Sequence, residues 1–506
     1  MPHQAPRTAR PGTLVPLEPE AFGEAEARHL LWRAGFGGSP EQIRALAAMG
    51  IEGAVDHLLE YESIAYDWPR ADEFDKDIMR PLTAEERRQA RVARQSGNED
   101  VVDMFRQRRM RAQREDRAQI RGMQAWWLTR MIETPRPLEE KMTLFWHGHF
   151  ATGYRTIENS YHMFLQNQLF RSQAVGNFGE LLFAIIRDPA MLRYLNNNAS
   201  RKGEPNENLA RELMELFSLG EGNYSENDIR EGARALTGYT YQDDAFSFNE
   251  RNHDQGIKRI LGVEGRLDGD GFVRAILARR QCAEFIAAKL YRFFCREIPL
   301  TESDMDPVAR TAMNDLAKHI LRERYDIKRA LRRLFLSEHF YSDTVVGERI
   351  KSPAELVVGA IRSLGTPVRD VPTLVAALDK MGQALFQPPS VKGWSGGRSW
   401  ISTSTLYTRQ NILAYLLTGR TPTGYDLFGA GEYDPKPVVR ALVEDPKNAP
   451  PRAFGEAIAA FMLGPAASPR AVDELMTIAE RAGSVTPKVA ADMMLLASAM
   501  PEYQLC

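Results

Sequence analysis

The chain has few cysteines, no long apolar run and no excess of either charge, and each absence excludes a class of protein. Its 506 residues contain three cysteines, and none are spaced as a zinc cluster or a disulfide framework. No apolar run approaches the ~18 residues that a membrane helix needs, so no membrane span is expected. The net charge of −2 argues against a nucleic-acid partner.

Several enzyme signatures are also missing. We find no phosphate-binding loop, no glycine-rich dinucleotide motif after a strand and no Gly-x-Ser-x-Gly elbow, so no nucleotide cofactor is expected. The first residues, Met1-Pro2-His3-Gln4, lack the apolar region of a secretory signal. The sequence as written therefore predicts a cytoplasmic protein, with export open if the N-terminus is incomplete.

Capped helices separated by glycine and proline dominate what is present. Ser39-Pro40-Glu41-Gln42 and Ser352-Pro353-Ala354-Glu355 each offer an N-cap, a first-turn proline and a capping-box residue. Strand-like alternation is scarce. These patterns predict a mainly α fold: a large multi-helix globular domain with long Gly/Pro/aromatic loops and little or no sheet.

Composition divides the chain into three parts. Residues 1–23 predict a disordered or extended arm, 24–415 a helical domain and 416–506 a C-terminal helical region. Within the domain, residues 75–121 predict a protruding charged helical segment rich in arginine. A solvated helix face and an anion-binding surface both explain that segment.

A histidine pair in an aromatic setting, Phe145-Trp146-His147-Gly148-His149-Phe150, stands out because the chain has only nine histidines. Residues from Pro137 to Trp146 predict a helix, which Gly148 is expected to end in a left-handed conformation. On a continuous helix, side chains two residues apart point in nearly opposite directions. A helix that ends at Gly148 would let both rings face one pocket.

Two further segments carry polar side chains of the kind that bind metals. Residues 205–217 predict a helix with Glu207, Glu212 and Glu215, and residues 253–254 are His253-Asp254. Imidazole and carboxylate ligands suit zinc, manganese or iron. Each segment also has a structural interpretation: the glutamates form ion pairs with nearby arginines, and His253-Asp254 organises a turn.

Six segments, taken in chain order, carry a resemblance to a known family: 32–37 (WRAGFG), 145–150 (FWHGHF), 205–216 (PNENLARELMEL), 233–238 (ARALTG), 253–254 (HD) and 388–394 (PPSVKGW). Together they resemble the domain of unknown function 1800 family, collinearly from about residue 25 to 415. The resemblance implies a bacterial protein whose relatives are often exported and encoded beside members of the domain of unknown function 1501 family. A partner from that second family is therefore expected. The resemblance implies no activity, but its signature segments hold the polar residues singled out above, which favours a shared site.

Two hypotheses follow. The first is a metal-dependent enzyme that activates water or oxygen on an unknown substrate. Its expected residues are the metal ligands His147, His149 and His253, the catalytic carboxylates Glu207, Glu212, Glu215 and Asp254, and the substrate-binding residues Arg211, Lys258, Trp394 and Trp400. The two tryptophans lie in a long loop, residues 387–400, that is expected to act as a lid. The second hypothesis is a non-catalytic helical binding or assembly protein that acts with a partner.

Overall fold

The protein is mainly α, as the sequence predicts. The computed structural model describes residues 14–66, 68, 74–298, 305–420, 433–443, 445–446 and 449–506. Those residues form twenty-three α-helices and two antiparallel sheets of two strands each.

The helices fall into a first group up to the sheets and a second group after them. The first group is α1 (Glu24–Ala34), α2 (Pro40–Ala48), α3 (Gly50–Leu59), α4 (Ala84–Ser96), α5 (Glu99–Glu133), α6 (Pro137–His149), α7 (Tyr154–Ile157), α8 (Ser160–Ser172), α9 (Phe178–Ile185), α10 (Pro189–Tyr194), α11 (Asn208–Glu215) and α12 (Glu226–Ala235). The second group is α13 (Gly269–Leu277), α14 (Arg280–Phe294), α15 (Pro307–Arg322), α16 (Ile327–Phe335), α17 (Pro353–Leu364), α18 (Val371–Lys380), α19 (Thr403–Thr418), α20 (Lys436–Leu442), α21 (Pro451–Met462), α22 (Pro469–Ala482) and α23 (Pro487–Ala499). The strands between the groups are β1 (Tyr239–Gln242), β2 (Ala245–Phe248), β3 (Lys258–Ile260) and β4 (Val263–Gly265), paired β1 with β2 and β3 with β4.

Local capping chemistry starts the helices where the sequence indicates. The Ser39 hydroxyl accepts a hydrogen bond from the backbone N–H of Gln42, and Ser352 does the same for Glu355. Each third residue bonds back to the N-cap N–H, which completes a capping box. These boxes satisfy N–H groups that the first turn of a helix leaves without partners.

Helix α6 lies in the middle of the core. Every residue of this helix except Gly148 is buried, including three charged ones. The Glu140 carboxylate accepts hydrogen bonds from Arg130 of α5 and Arg171 of α8. Because buried charges are tolerated only when paired, these contacts fix α6 against its neighbours.

A second buried cluster ties α6 to α17. The Lys141 ammonium pairs with the Glu355 carboxylate and donates a hydrogen bond to the Gly35 carbonyl at 2.8 Å. Arg349 approaches the same carboxylate at 2.6 Å. The N-terminal half of α6 is thereby held beside α17.

The predicted parts of the chain relate to this core as follows. From the arm, residues 1–13 lie outside the described residues, whereas Leu14 and Leu17 are buried and the Leu17 N–H donates to the Leu336 carbonyl at 2.7 Å.

The charged segment is a pair of packed helices, α4 and α5, and α4 is exposed along most of its length. Residue 415 lies inside α19, which packs on α23. Within the described ranges, no helix is long and apolar enough to cross a membrane.

Candidate functional site

The structure corrects the expected end of the histidine helix. Gly148 keeps a helical backbone rather than a left-handed one, and α6 runs on to His149. The Phe150 N–H still donates to the Trp146 carbonyl at 2.8 Å. On an α-helix, residues i and i+2 are separated by about 200° around the helix axis. The rings of His147 and His149 therefore point to different sides of α6.

His147 lies in an aromatic cage. Its ring centre is 5.4 Å from that of Trp127, 5.6 Å from Phe386 and 5.5 Å from Trp394. Burial lowers the pKa of His147 to about 3, so the ring is neutral at physiological pH. Its Nε2 has no hydrogen-bond partner among the described residues.

His149 faces a different cluster. Its ring lies 4.5 Å from that of Phe150, and its Nε2–H donates to the Phe217 carbonyl at 3.0 Å. Burial, with a smaller contribution from the Lys289 ammonium, lowers the pKa of His149 to about 3. Its Nδ1 accepts no hydrogen bond from a described residue.

The His253-Asp254 segment organises a turn. The His253 Nδ1–H donates to the Thr237 carbonyl at 2.8 Å, and Asp254 pairs with Arg234 at 2.7 Å. Hydrogen bonding from that guanidinium lowers the pKa of Asp254 to about 2. Lys258 donates to the Asp254 carbonyl at 2.5 Å, so its ammonium holds the turn together.

Arg211, expected to bind substrate, is engaged in ion pairs at the surface. It lies 3.3 Å from Glu207, the N-cap residue of α11, and 3.0 Å from Glu226 of α12. Glu207 and Arg211 therefore follow the structural interpretation, in which the glutamates form ion pairs with nearby arginines.

Glu212 and Glu215 differ in their surroundings. Glu215 accepts a hydrogen bond from the Tyr224 hydroxyl at 3.0 Å. Burial raises the pKa of Glu212, as does the charge of Glu215, whereas the nearby Lys392 ammonium opposes the shift. Glu212 thus lies on the side of α11 that approaches the 387–400 loop.

These positions do not form the expected metal site. His147 and His149 face different aromatic clusters, and His253 borders a separate cleft together with Lys202 and Arg251. Within the part of the chain that the structure describes, no three His, Cys, Asp or Glu side chains are placed to hold a metal ion. The three histidines therefore do not fit a shared centre, and the divalent metal stays a prediction from the sequence.

The glycine of the histidine pair has a packing role. The Trp394 ring covers Gly148, where an added Cβ would lie 3.3 Å from a ring carbon. Gly393 has a φ of +76°, and a Cβ there would overlap the Gly148 carbonyl oxygen. Two glycines in contact let the loop backbone approach α6 closely, which a side chain at either position would prevent.

The docked loop closes a pocket, which we call the Trp-loop pocket. It lies between α6, α14 and the loop and has a cavity volume of about 150 Å³. Its lining residues are Leu144, Phe145, Gly148, His149, Lys289, Arg292, Phe293, Glu297, Arg349, Ser352, Gln383, Lys392, Trp394, Ser395, Gly396, Gly397 and Trp400. Of the residues expected from the sequence, the pocket brings together His149, Trp394 and Trp400.

The pocket is positively charged. Two of its four cationic side chains are neutralised, since Arg292 pairs with Glu297 at 2.8 Å and Arg349 pairs with Glu355 of α17. The ammonium groups of Lys289 and Lys392 form no hydrogen bond or ion pair with any residue in the described ranges. Burial, with a smaller contribution from Arg292, lowers the pKa of Lys289 to about 8.

Sequence reasoning missed the α14 side of the pocket. Lys289, Arg292 and Phe293 lie on one face of α14 at the i, i+3, i+4 spacing. A mixed basic and aromatic face was the available signal. That signal is weak, because a cationic side chain on an amphipathic helix usually faces solvent.

Fold and site together define a class: a mainly α protein with a cationic, aromatic pocket closed by a Gly/Trp loop. The chain belongs to the family described as protein of unknown function (DUF1800), which matches residues 29–505. The resemblance seen in the sequence is thereby confirmed over nearly the whole chain. No curated protein and no solved structure matches it.

Proposed function

We propose that the protein binds a small organic anion with an aromatic or apolar body in the Trp-loop pocket. The observation that carries the proposal is Lys289, whose ammonium forms no ion pair with a described residue, on the border of an aromatic cavity. Lys392, which lies near Glu212, adds a second positive charge to that border. This develops the second hypothesis, a binding protein, with a small molecule as the bound partner.

The size of the cavity supports a ligand with a single ring. An apolar cavity of about 150 Å³ holds one benzene molecule, and the Trp-loop pocket has the same volume. Phe145, Phe293, Trp394 and Trp400 supply apolar walls. A ring stacked between such walls is desolvated favourably.

The charges support an anionic group on that ring. A half-buried ammonium without a counter-ion is costly, and a bound carboxylate would supply the missing partner. Lys289 stands inside the pocket and Lys392 is exposed at its mouth. Because Lys289 belongs to α14 and Lys392 to the loop, an anion between these two elements would have a cation on either side.

Benzoate binding to the purified full chain tests the proposal, by calorimetry and by tryptophan fluorescence. Benzoate should bind, and Lys289→Met should weaken binding about tenfold or more, the value of one lost charge-assisted hydrogen bond. Lys318→Met, on the exposed face of α15, is the matched control and should leave the affinity unchanged.

Benzamide, which has the same ring without the charge, should bind more weakly than benzoate, and added salt should weaken benzoate binding. Equal affinity for benzoate and benzamide, or equal affinity in wild type and Lys289→Met, would contradict the proposal.

The metal-dependent enzyme remains a prediction from the sequence, as does a partner from the domain of unknown function 1501 family. The described residues offer no set of ligands that favours the metal. Organic-anion binding is preferred because it uses the groups that the fold leaves without partners.

A further inference from the structure

Lys289 is half-buried and, unlike the fully buried lysines among the described residues, has no acceptor. Lys141 pairs with Glu355, Lys258 donates to the Asp254 carbonyl at 2.5 Å, and Lys351 donates to the Tyr503 carbonyl at 2.7 Å. The Lys289 Nζ instead lies 5.1 Å from the centre of the Phe285 ring and bonds to no acceptor among the described residues. A structural role would require an acceptor, and the fold provides one for each of the others.

The groups that face Lys289 favour its neutral amine. Arg292 follows one turn later on α14, His149 of α6 is neutral, and Lys392 of the loop is cationic. The Glu297 carboxylate is already paired with Arg292. With a pKa of about 8, roughly a tenth of the Lys289 side chains carry the free amine at pH 7.

We infer that Lys289 is an amine nucleophile, which forms an imine with aldehydes or ketones that carry an anionic group. The inference rests on the proposed function, since the pocket must first bind the anion. It assigns the substrate class as carbonyl acids. Unpaired lysines in apolar surroundings are the lysines that react in this way.

The step balances without a cofactor. The lone pair of Lys289 Nζ bonds to the carbonyl carbon, and the carbonyl oxygen leaves as water with both amine protons. A C=N bond remains between the lysine and the carbonyl compound. Burial lowers the pKa of Lys141 to about 8 as well, but Lys141 is fully buried and bonded to Glu355 and the Gly35 carbonyl, whereas Lys289 lines a pocket that a substrate can enter.

The test uses 2-carboxybenzaldehyde, whose aldehyde carbon is next to the carboxylate that Lys289 would hold, with sodium cyanoborohydride to reduce the imine to a stable secondary amine. Peptide mass spectrometry then measures the labelling rate of each lysine in the intact wild-type chain. At pH 7 Lys289 should be labelled about tenfold faster or more than the exposed Lys318, because more of its amine is unprotonated. Benzoate should slow labelling at Lys289 and leave Lys318 unaffected.

A variant separates binding from reaction. Lys289→Arg keeps the positive charge and removes the reactive amine, so it should still bind benzoate while the fast adduct disappears. Because Lys289 and Lys318 are compared within one wild-type molecule, the main result does not depend on how a variant folds.

Each outcome decides one claim. Fast labelling of Lys289 that benzoate slows supports the nucleophile. Benzoate binding with Lys289 labelled no faster than Lys318 overturns the nucleophile and leaves the proposed function standing. Neither binding nor fast labelling overturns both. Fast labelling without benzoate binding overturns anion recognition, and with it the assignment of carbonyl acids as substrates, and leaves only the reactive amine.

Discussion

Replacing Gly393 by alanine should lift the Trp loop off α6. Gly393 has a φ of +76°, and a Cβ there would overlap the Gly148 carbonyl oxygen. That oxygen belongs to the backbone of a buried helix that two ion-pair clusters hold in place, so it cannot move aside. The loop must therefore yield, and Trp394 moves with it.

Two terms set the size of the effect. An L-residue in the left-handed region costs roughly 1–2 kcal/mol. Lifting the loop also exposes much of the half-buried Trp394, which adds roughly 1–3 kcal/mol of lost apolar burial. Gly393→Ala should therefore lower the free energy of unfolding by roughly 2–5 kcal/mol.

Gly365→Ala is the matched control. Gly365 has a φ of +63° at the end of α17, and a Cβ there would meet no atom within 4 Å. It should lose only the backbone term, about 1–2 kcal/mol, and keep benzoate binding.

Urea denaturation measures the losses, and tryptophan fluorescence with benzoate titration reports on the pocket. Equal losses of stability in the two variants, or unchanged benzoate affinity in Gly393→Ala, would refute the docking of the loop through the two glycines.

Two further predictions concern buried charges. Burial raises the pKa of Asp188 from 3.8 to about 7, so the folded state holds a proton that the unfolded state releases, and wild-type stability should fall by on the order of 4 kcal/mol as the pH rises through that window. Asp188→Asn should remove this fall in urea denaturation at pH 4 and pH 8, and an unchanged pH dependence would contradict the assignment. Glu355→Gln leaves Lys141 and Arg349 without their counter-charge and should cost about 3–5 kcal/mol. Glu85→Gln, in an exposed pair on α4, should cost about 0–1 kcal/mol, and similar losses in both variants would contradict the buried cluster.

The elements that the sequence predicts well are those whose cause is local. The capping boxes at Ser39 and Ser352 involve partners three residues away, so the motif contains its own geometry. The scarcity of alternation predicts the small share of sheet for the same reason. Capping motifs and hydrophobic periodicity therefore predict the class of fold, because the hydrogen bonds of a helix join residues only a few positions apart.

Gly148 shows where local reasoning fails. A glycine near a helix end is compatible with a left-handed stop and with a close approach by another segment. What decides between them is Trp394, which lies far along the chain and packs on Gly148 in the fold. A helix that ended at Gly148 would have let His149 face the same pocket as His147. The expected metal site depended on that arrangement.

The composition of the Trp-loop pocket is hidden in sequence for a related reason. Trp394 and Trp400 are visible because a Gly/Pro/aromatic loop is unusual, whereas Lys289 looks like one cation among many on amphipathic helices. Only the tertiary packing removes the acceptors around its ammonium. Sequence therefore identifies one wall of the pocket, and packing is needed to find the wall that carries its charge.

Polarity alone is a poor guide to function in this chain. Arg211 and Asp254 are polar residues within the signature segments, yet each has an ion-pair partner that accounts for its presence. Lys289 belongs to no signature segment and has no such partner among the described residues. An ammonium without a counter-ion beside a cavity is costlier than a neutral group left unpaired, so it points more strongly to a bound partner. A bound anion would supply the counter-charge that Lys289 lacks, whereas His147 and His149 are neutral rings whose nitrogens without a described partner lie among aromatic side chains. The chemistry is therefore assigned to Lys289 rather than to the histidine pair.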